Sequence, residues 1–148
     1  MSGRTWLIVG AMFGLSAVAL GAFGAHGLEK AVADWGLSAE QQTQRLQNWE
    51  VGVRYQMYHA LALLLVGTLA LLRPMAGFKV AASAWICGVL IFSGCLYLYV
   101  LTGWKTLGLI VPIGGVSLLI GWTALAFASL KIRGETERDT ESLEERRR

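Results

Sequence analysis

Acid is what this chain is shortest of. Residues 51–134, 84 in all, contain no Asp or Glu, and a soluble domain rarely goes so long without acidic surface. Charge of either sign is scarce, 16% of the 148 residues against about a quarter in ordinary globular proteins. Proline occurs twice, so the long apolar runs are barely interrupted. Cysteine also occurs twice, and Cys87 and Cys95 lie eight residues apart. On one helix that is about 12 Å along the axis, too far for a disulfide, so both read as small packing residues. His26 and His59 are the two histidines; two His with no Cys beside them are weak evidence for a metal, and no metal site is expected. No basic stripe with interleaved aromatics points to nucleic acid. The run Gly21-x-x-Gly24-x-x-Gly27 lacks the preceding strand and βαβ unit of a dinucleotide site, and no nucleophile elbow, zinc-protease or phosphate-loop motif is present. A proton-coupled transporter normally keeps a carboxylate inside its bundle; none follows Glu50 before the tail, which demotes transport without excluding passive conduction.

What fills the chain instead is four apolar stretches, about 6–25, 51–72, 80–101 and 107–130. Each is close to the ~20 residues that an α-helix needs to cross a ~30 Å hydrocarbon core. The expected fold is an all-α integral membrane four-helix bundle, residues 1–130, with a short amphipathic segment between helices 1 and 2. Arg4, the apolar run and Ala17-Val18-Ala19 suggest a cleavable secretory signal, but the run continues through Phe23, beyond a typical signal core, so the segment is expected to stay and span. With four spans, the terminal side carries nine Lys and Arg against Lys30, Arg45, Arg54 and Lys105 opposite. The positive-inside rule then puts both termini in the cytoplasm of a bacterial plasma membrane, or in the matrix of a mitochondrion. The tail, 131–148, holds six basic and six acidic residues and too little apolar surface to order itself; a flexible tail is expected, either a solvated, fraying helix or a disordered arm.

Punctuation residues set the expected helix ends. Helix 1 should stop near Gly24 and Gly27, and Leu28–Trp35 should form a short amphipathic turn closed by Gly36. Ser38-x-x-Gln41 matches a capping box, so helix 2 should begin near Ala39 and project outside the membrane before entering it. Arg73-Pro74 ends it. Pro112 allows a kinked helix or a span that starts at Pro112 with the proline in its first turn; the second is favoured. Small residues recur on single faces: Gly10, Gly14, Ala17, Gly21 and Gly24 in helix 1, Ala81, Ala84, Gly88 and Cys95 in helix 3, Gly114, Ser117, Gly121, Ala124 and Ala128 in helix 4. Such stripes let backbones approach closely in lipid. Packing within one chain is preferred over a dimer face through Gly10-x-x-x-Gly14.

Polar residues at membrane depth are expensive and mark where to look for chemistry. They cluster in Arg54, Tyr55, Gln56, Tyr58 and His59, at the mouth of helix 2, with His26 on the same membrane side. Glu50 and Arg54 form an i,i+4 pair in the favourable order. One reading makes the cluster a site for a quinone, a lipid head group or haem, since Arg with Tyr can hold a quinoid or anionic group and two neutral His can ligate haem iron. The other makes it a hydrogen-bond network stapling helix ends. The structural reading is preferred, with no cofactor expected, and His59 should reach helix 1 or the His26 region inside the bundle.

Five blocks in order carry a resemblance: residues 21–28, residues 55–61, Phe92-Ser93-Gly94 with Tyr97, residues 112–115, and Gly121-Trp122. Over about residues 6–130 the chain resembles the small membrane family of domain of unknown function 423, which includes bacterial YgdD and YwdK and the eukaryotic transmembrane protein 256. The resemblance implies a compact four-helix protein of bacterial plasma membranes or mitochondria, with no established reaction or cofactor. The long 26–50 connection and the charged tail depart from that pattern. The expected function is non-enzymatic: an accessory, scaffold or membrane-homeostasis component in contact with the lipid bilayer and with a membrane-protein partner or further copies of itself.

Overall fold

The structure, a computed structural model, describes the backbone of residues 2–147 and the side chains of residues 2–131. The expectation for the charged tail falls on side chains outside that range. The elements are α1 (Gly3–Phe23), a π-helical turn (Gly24–Leu28), α2 (Glu29–Asp34), α3 (Ala39–Leu72), α4 (Ala76–Thr102) and α5 (Thr106–Arg147). Among the described residues, four helices are long and apolar enough to cross a membrane: Gly3–Asp34, Ala39–Leu72, Ala76–Thr102 and Thr106–Lys131. No strand occurs among the described residues.

Local chemistry explains most of the boundaries. Ser38 Oγ accepts from the Gln41 N–H at 3.3 Å while Gln41 Oε1 accepts from the Ser38 N–H at 3.1 Å, the full capping box. α3 stops at Arg73, before Pro74, and α4 stops at Gly103, whose φ of 75° is left-handed.

Two expected ends are corrected. The first rod does not stop at Gly24 or Gly27; it passes through the π turn and stops only at Trp35-Gly36. Ending a helix near lipid strands several backbone groups, whereas one wide turn keeps them paired. The turn also delivers Leu28 and Val32, both fully buried, onto Trp49 and Val100. Nor does the last span begin at Pro112: α5 starts at Thr106 and runs through it. Pro112 withholds one N–H from the Gly108 carbonyl, and Gly108 has open space around it. Losing one bond near the helix start costs less than a broken helix with a full set of unpaired ends.

The principal pairings join α1 to α3, α3 to α4 and α4 to α5. One core cluster gathers Trp6, Leu63, Val66, Phe78, Trp85, Val89 and Leu118; a second gathers Leu28, Val32, Trp49 and Val100. The small-residue stripes serve contacts within the chain. A Cβ at Gly10 would sit 3.0 Å from the Ala60 carbonyl oxygen on α3. Gly88 lies under Leu118 and Gly121 under the Trp85 ring, and Ser117 Oγ donates to the Ala84 carbonyl at 2.8 Å. Gly14 is looser than its place in the stripe suggests, with only the Ala60 Cβ at 4.0 Å. Outward faces of α1 and α5 stay apolar, as at Leu15, Val18, Leu109 and Leu119, which suits contact with lipid chains.

Candidate functional site

Residues 54–59 of α3 occupy a full turn and a half, so consecutive members point in different directions and meet different neighbours. Arg54 is exposed, with its Nε 3.8 Å from a carboxylate oxygen of Glu50, which is also exposed, a pair of small energetic value in that setting. Tyr58 is exposed too. Gln56 and His59 are buried, at 5% and 4% exposure, and meet different partners.

Gln56 turns toward α1 and α4. Its Nε2 donates to the Phe13 carbonyl at 2.9 Å and to Ser16 Oγ at 2.7 Å, while its Oε1 accepts from Tyr97 at 3.0 Å. One turn earlier, Ser93 Oγ on α4 donates to the Gly52 carbonyl at 2.8 Å. Trp49 Nε1 donates to the Leu20 carbonyl at 2.8 Å, immediately before the π turn. Arg45 holds the far end of α4: its guanidinium donates to the Tyr99 carbonyl at 2.9 Å and to the Val100 carbonyl, and lies 5.2 Å from the Tyr99 ring centre. A cation on the last carbonyls of a helix satisfies acceptors that the helix leaves open.

His59 turns toward α4 and α5. Its Nδ1 is 2.7 Å from the Tyr55 carbonyl, which can only accept, so Nδ1 carries the proton. Nε2 then accepts from Trp122 Nε1 at 3.1 Å. Trp122 and Trp85 ring centres lie 6.0 and 6.2 Å from the imidazole, and Tyr55 stacks on Phe92 at 4.6 Å. A groove of about 430 Å³ opens between α3 and α5 beside this pair, walled by Tyr55, His59, Phe92, Pro112, Val116 and Trp122.

The six candidate residues therefore do not form one site. His59 reaches α4 and α5 instead of helix 1, and His26 is exposed on the π turn. That turn packs at the level of Trp49, ten residues or about 15 Å along α3 from His59. Among the described residues no group of three His, Cys, Asp or Glu converges to hold a metal ion. A buried His59 calls for hydrogen-bond partners, and Tyr or Trp groups of the other helices are among the candidates that sequence offers; that Trp122 fills this place, with Trp85 and Phe92 beside it, is not legible there. Their signal was present in the aromatic content of the third and fourth runs, but helical spacing alone cannot say which neighbour faces which side of α3.

Comparison with known proteins follows the same pattern. The family model described as "Protein of unknown function (DUF423)" matches residues 20–115. A UPF0382 membrane protein of Staphylococcus aureus (strain bovine RF122 / ET3-1) is 41% identical over 133 residues, 88% of this chain and 99% of its own length. The UPF0382 membrane protein YwdK of Bacillus subtilis (strain 168) is 41% identical over 131 residues, 86% of this chain and 98% of its own. A third, from Staphylococcus haemolyticus (strain JCSC1435), is 37% identical over 133 residues, with 88% and 99% coverage. No solved structure matches. Four apolar spans, the motif blocks and relatives aligned almost end to end lead to one assignment: the chain belongs to the DUF423 family of membrane proteins.

Proposed function

We propose that this protein is a non-enzymatic accessory or scaffold component of the bacterial plasma membrane, acting through its folded surface and not by turnover. The supporting observation is the use made of the buried and half-buried polar groups. Gln56, Ser93, Tyr97, Ser117, Trp49 and His59 each bond to another helix, so the hydrogen bonds tie the bundle together. Polar side chains used this way are the glue of membrane bundles. The outward faces of α1 and α5 are the surface offered to a membrane-protein partner or a second copy. Native mass spectrometry of the gently extracted protein tests the proposal. A stoichiometric protein partner or a defined oligomer is expected; a partner-free monomer that converts a substrate would overturn it.

A second reading keeps the groove beside His59 as a pocket for a quinone ring or lipid, supported by its aromatic walls and its one polar pair. Haem has less support, because His26 and His59 are separated and both His59 nitrogens are engaged. The same extract distinguishes these, since a retained quinone is identified by mass and haem by its visible spectrum.

For orientation we propose both termini in the cytoplasm. Nine Lys and Arg on the terminal side against four opposite support it. In intact cells an impermeant thiol reagent should label Ser38→Cys and leave Ser142→Cys untouched; the reverse pattern would invert the topology.

A further inference from the structure

The groove beside His59 opens within the membrane-spanning lengths of α3 and α5, and Gly115 and Leu119 belong to its wall together with Tyr55, Phe92 and Trp122. We propose that this groove binds the ring of a lipid-soluble quinone. The inference rests on the second reading given for the groove and narrows it to one ligand class and one mode of binding.

Three observations carry it. The first is a glycine that the packing of the bundle does not need. At Gly114 a Cβ would lie 2.5 Å from the Phe92 backbone nitrogen, but at Gly115 it would meet nothing nearer than the Phe92 ring, at 3.9 Å. That is ordinary contact, so the bundle has room for alanine there, and glycine weakens a helix interior relative to alanine. What glycine preserves at this position is the groove that it lines. The second is the character of the wall. It contains no Asp, Glu, Lys or Arg, which suits an uncharged ligand arriving through the bilayer. Tyr55 stacks on Phe92 with ring centres 4.6 Å and planes 29° apart, and Trp122 is held by its 3.1 Å hydrogen bond to His59 Nε2. Electron-rich phenol and indole rings fixed in this way attract the face of an electron-poor planar ring, an attraction that a saturated acyl chain does not share. The third is a donor. Both His59 nitrogens and the Trp122 N–H are engaged, whereas the Tyr55 hydroxyl bonds to no group among the described residues. It is free to donate to a carbonyl oxygen, and a quinone ring carries two.

The dimensions agree. The groove's volume of about 430 Å³ falls in the range of small-ligand pockets. Pro112 and Trp122 stand ten residues apart on α5, about 15 Å along the axis. Val116 and Leu119 are both more than half exposed and continue the wall toward lipid, where an isoprenoid tail runs out among the acyl chains. The ring is held as a ligand, with no electron transfer to the chain.

The test uses the full chain in detergent, stripped of endogenous quinone and titrated with a menaquinone bearing a two-isoprene tail. Tryptophan fluorescence should be quenched saturably, and native mass spectra should show one quinone per chain. Geraniol, which has the same tail without the ring, and dioleoyl-phosphatidylcholine should not displace it. Gly115→Leu should fill the groove and weaken binding by about tenfold or more, Gly115→Ala by a smaller factor, while the ligand-free proteins melt no lower than wild type. Tyr55→Phe should weaken binding about fivefold, the equivalent of one uncharged hydrogen bond. Tyr58→Phe, outside the wall, should change nothing. Size exclusion confirms that each variant is folded. Displacement by geraniol or phosphatidylcholine would overturn the quinone in favour of a lipid in the same groove and leave the broader reading standing. No saturable binding of any probe would overturn both. Binding that Gly115→Leu leaves at wild-type strength would put the quinone elsewhere and overturn the proposal, as would an unaltered Tyr55→Phe.

Discussion

Replacing Gly114 by leucine should abolish recovery of folded protein from the membrane. A Cβ at this position would lie 2.5 Å from the Phe92 backbone nitrogen and 2.9 Å from its Cα. Those atoms belong to the rod of α4, so the clash is relieved only by separating α4 from α5. That pair carries Gly88 under Leu118, Gly121 under Trp85 and the Ser117 hydrogen bond, all of which separation would disrupt. Overpacking a well-filled core costs about 1–3 kcal/mol and more where backbone must move; this position belongs at or above the top of that range. Gly114→Ala should already lower the melting temperature. Gly14→Ala, facing only the Ala60 Cβ at 4.0 Å, should be neutral. Fluorescence-detected size exclusion with thermal challenge reads all three. A Gly114→Leu protein that elutes and melts like wild type would show that α4 and α5 are not held together here.

The second large effect belongs to Gln56. Changing it to leucine leaves the Tyr97 hydroxyl without its acceptor and removes both donors to α1, at Phe13 and Ser16. Water cannot replace these partners inside the bilayer core, although hydrogen bonds between membrane helices are individually modest. A loss of about 2 kcal/mol is expected for Gln56→Leu and about 1 kcal/mol for Tyr97→Phe. The double variant should lose less than the sum, because Tyr97 without its hydroxyl no longer needs Gln56. Reversible unfolding in mixed micelles supplies the cycle. Strict additivity would mean that the two side chains act separately.

Both predictions rest on contacts that were unequally legible in the sequence. The stripe Gly114, Ser117, Gly121 identifies a close-packing face without structural help, since small residues at alternating three- and four-residue spacing serve little else in lipid. Which glycine bears the tightest contact was not legible: Gly10 and Gly114 meet backbone, whereas Gly14 in the same kind of stripe meets one distant methyl group. Gln56 was legible as a costly polar residue at membrane depth, but its three partners lie on two other helices, 40 to 43 residues away. The same holds for His59, expected against helix 1 and found against Trp122.

What the amino-acid sequence alone determined is what depends on the solvent and on neighbours along the chain. Apolar run length set the number of spans, and Ser38 with Gln41 and Arg73 with Pro74 set the ends of α3, because capping and chain-breaking act over four residues or fewer. Tertiary structure alone decided whether a local break signal was obeyed. Gly24 and Gly27 became a π turn that seats Leu28 and Val32 on Trp49, and Pro112 stayed inside α5 while the following glycine seats it on Phe92. It also decided how the polar residues of α3 were divided, Gln56 to α1 and α4, His59 to α4 and α5. The reason is physical: the period of a helix specifies the angle at which a side chain leaves its own axis, and only the packing of the other helices determines what stands there to receive it.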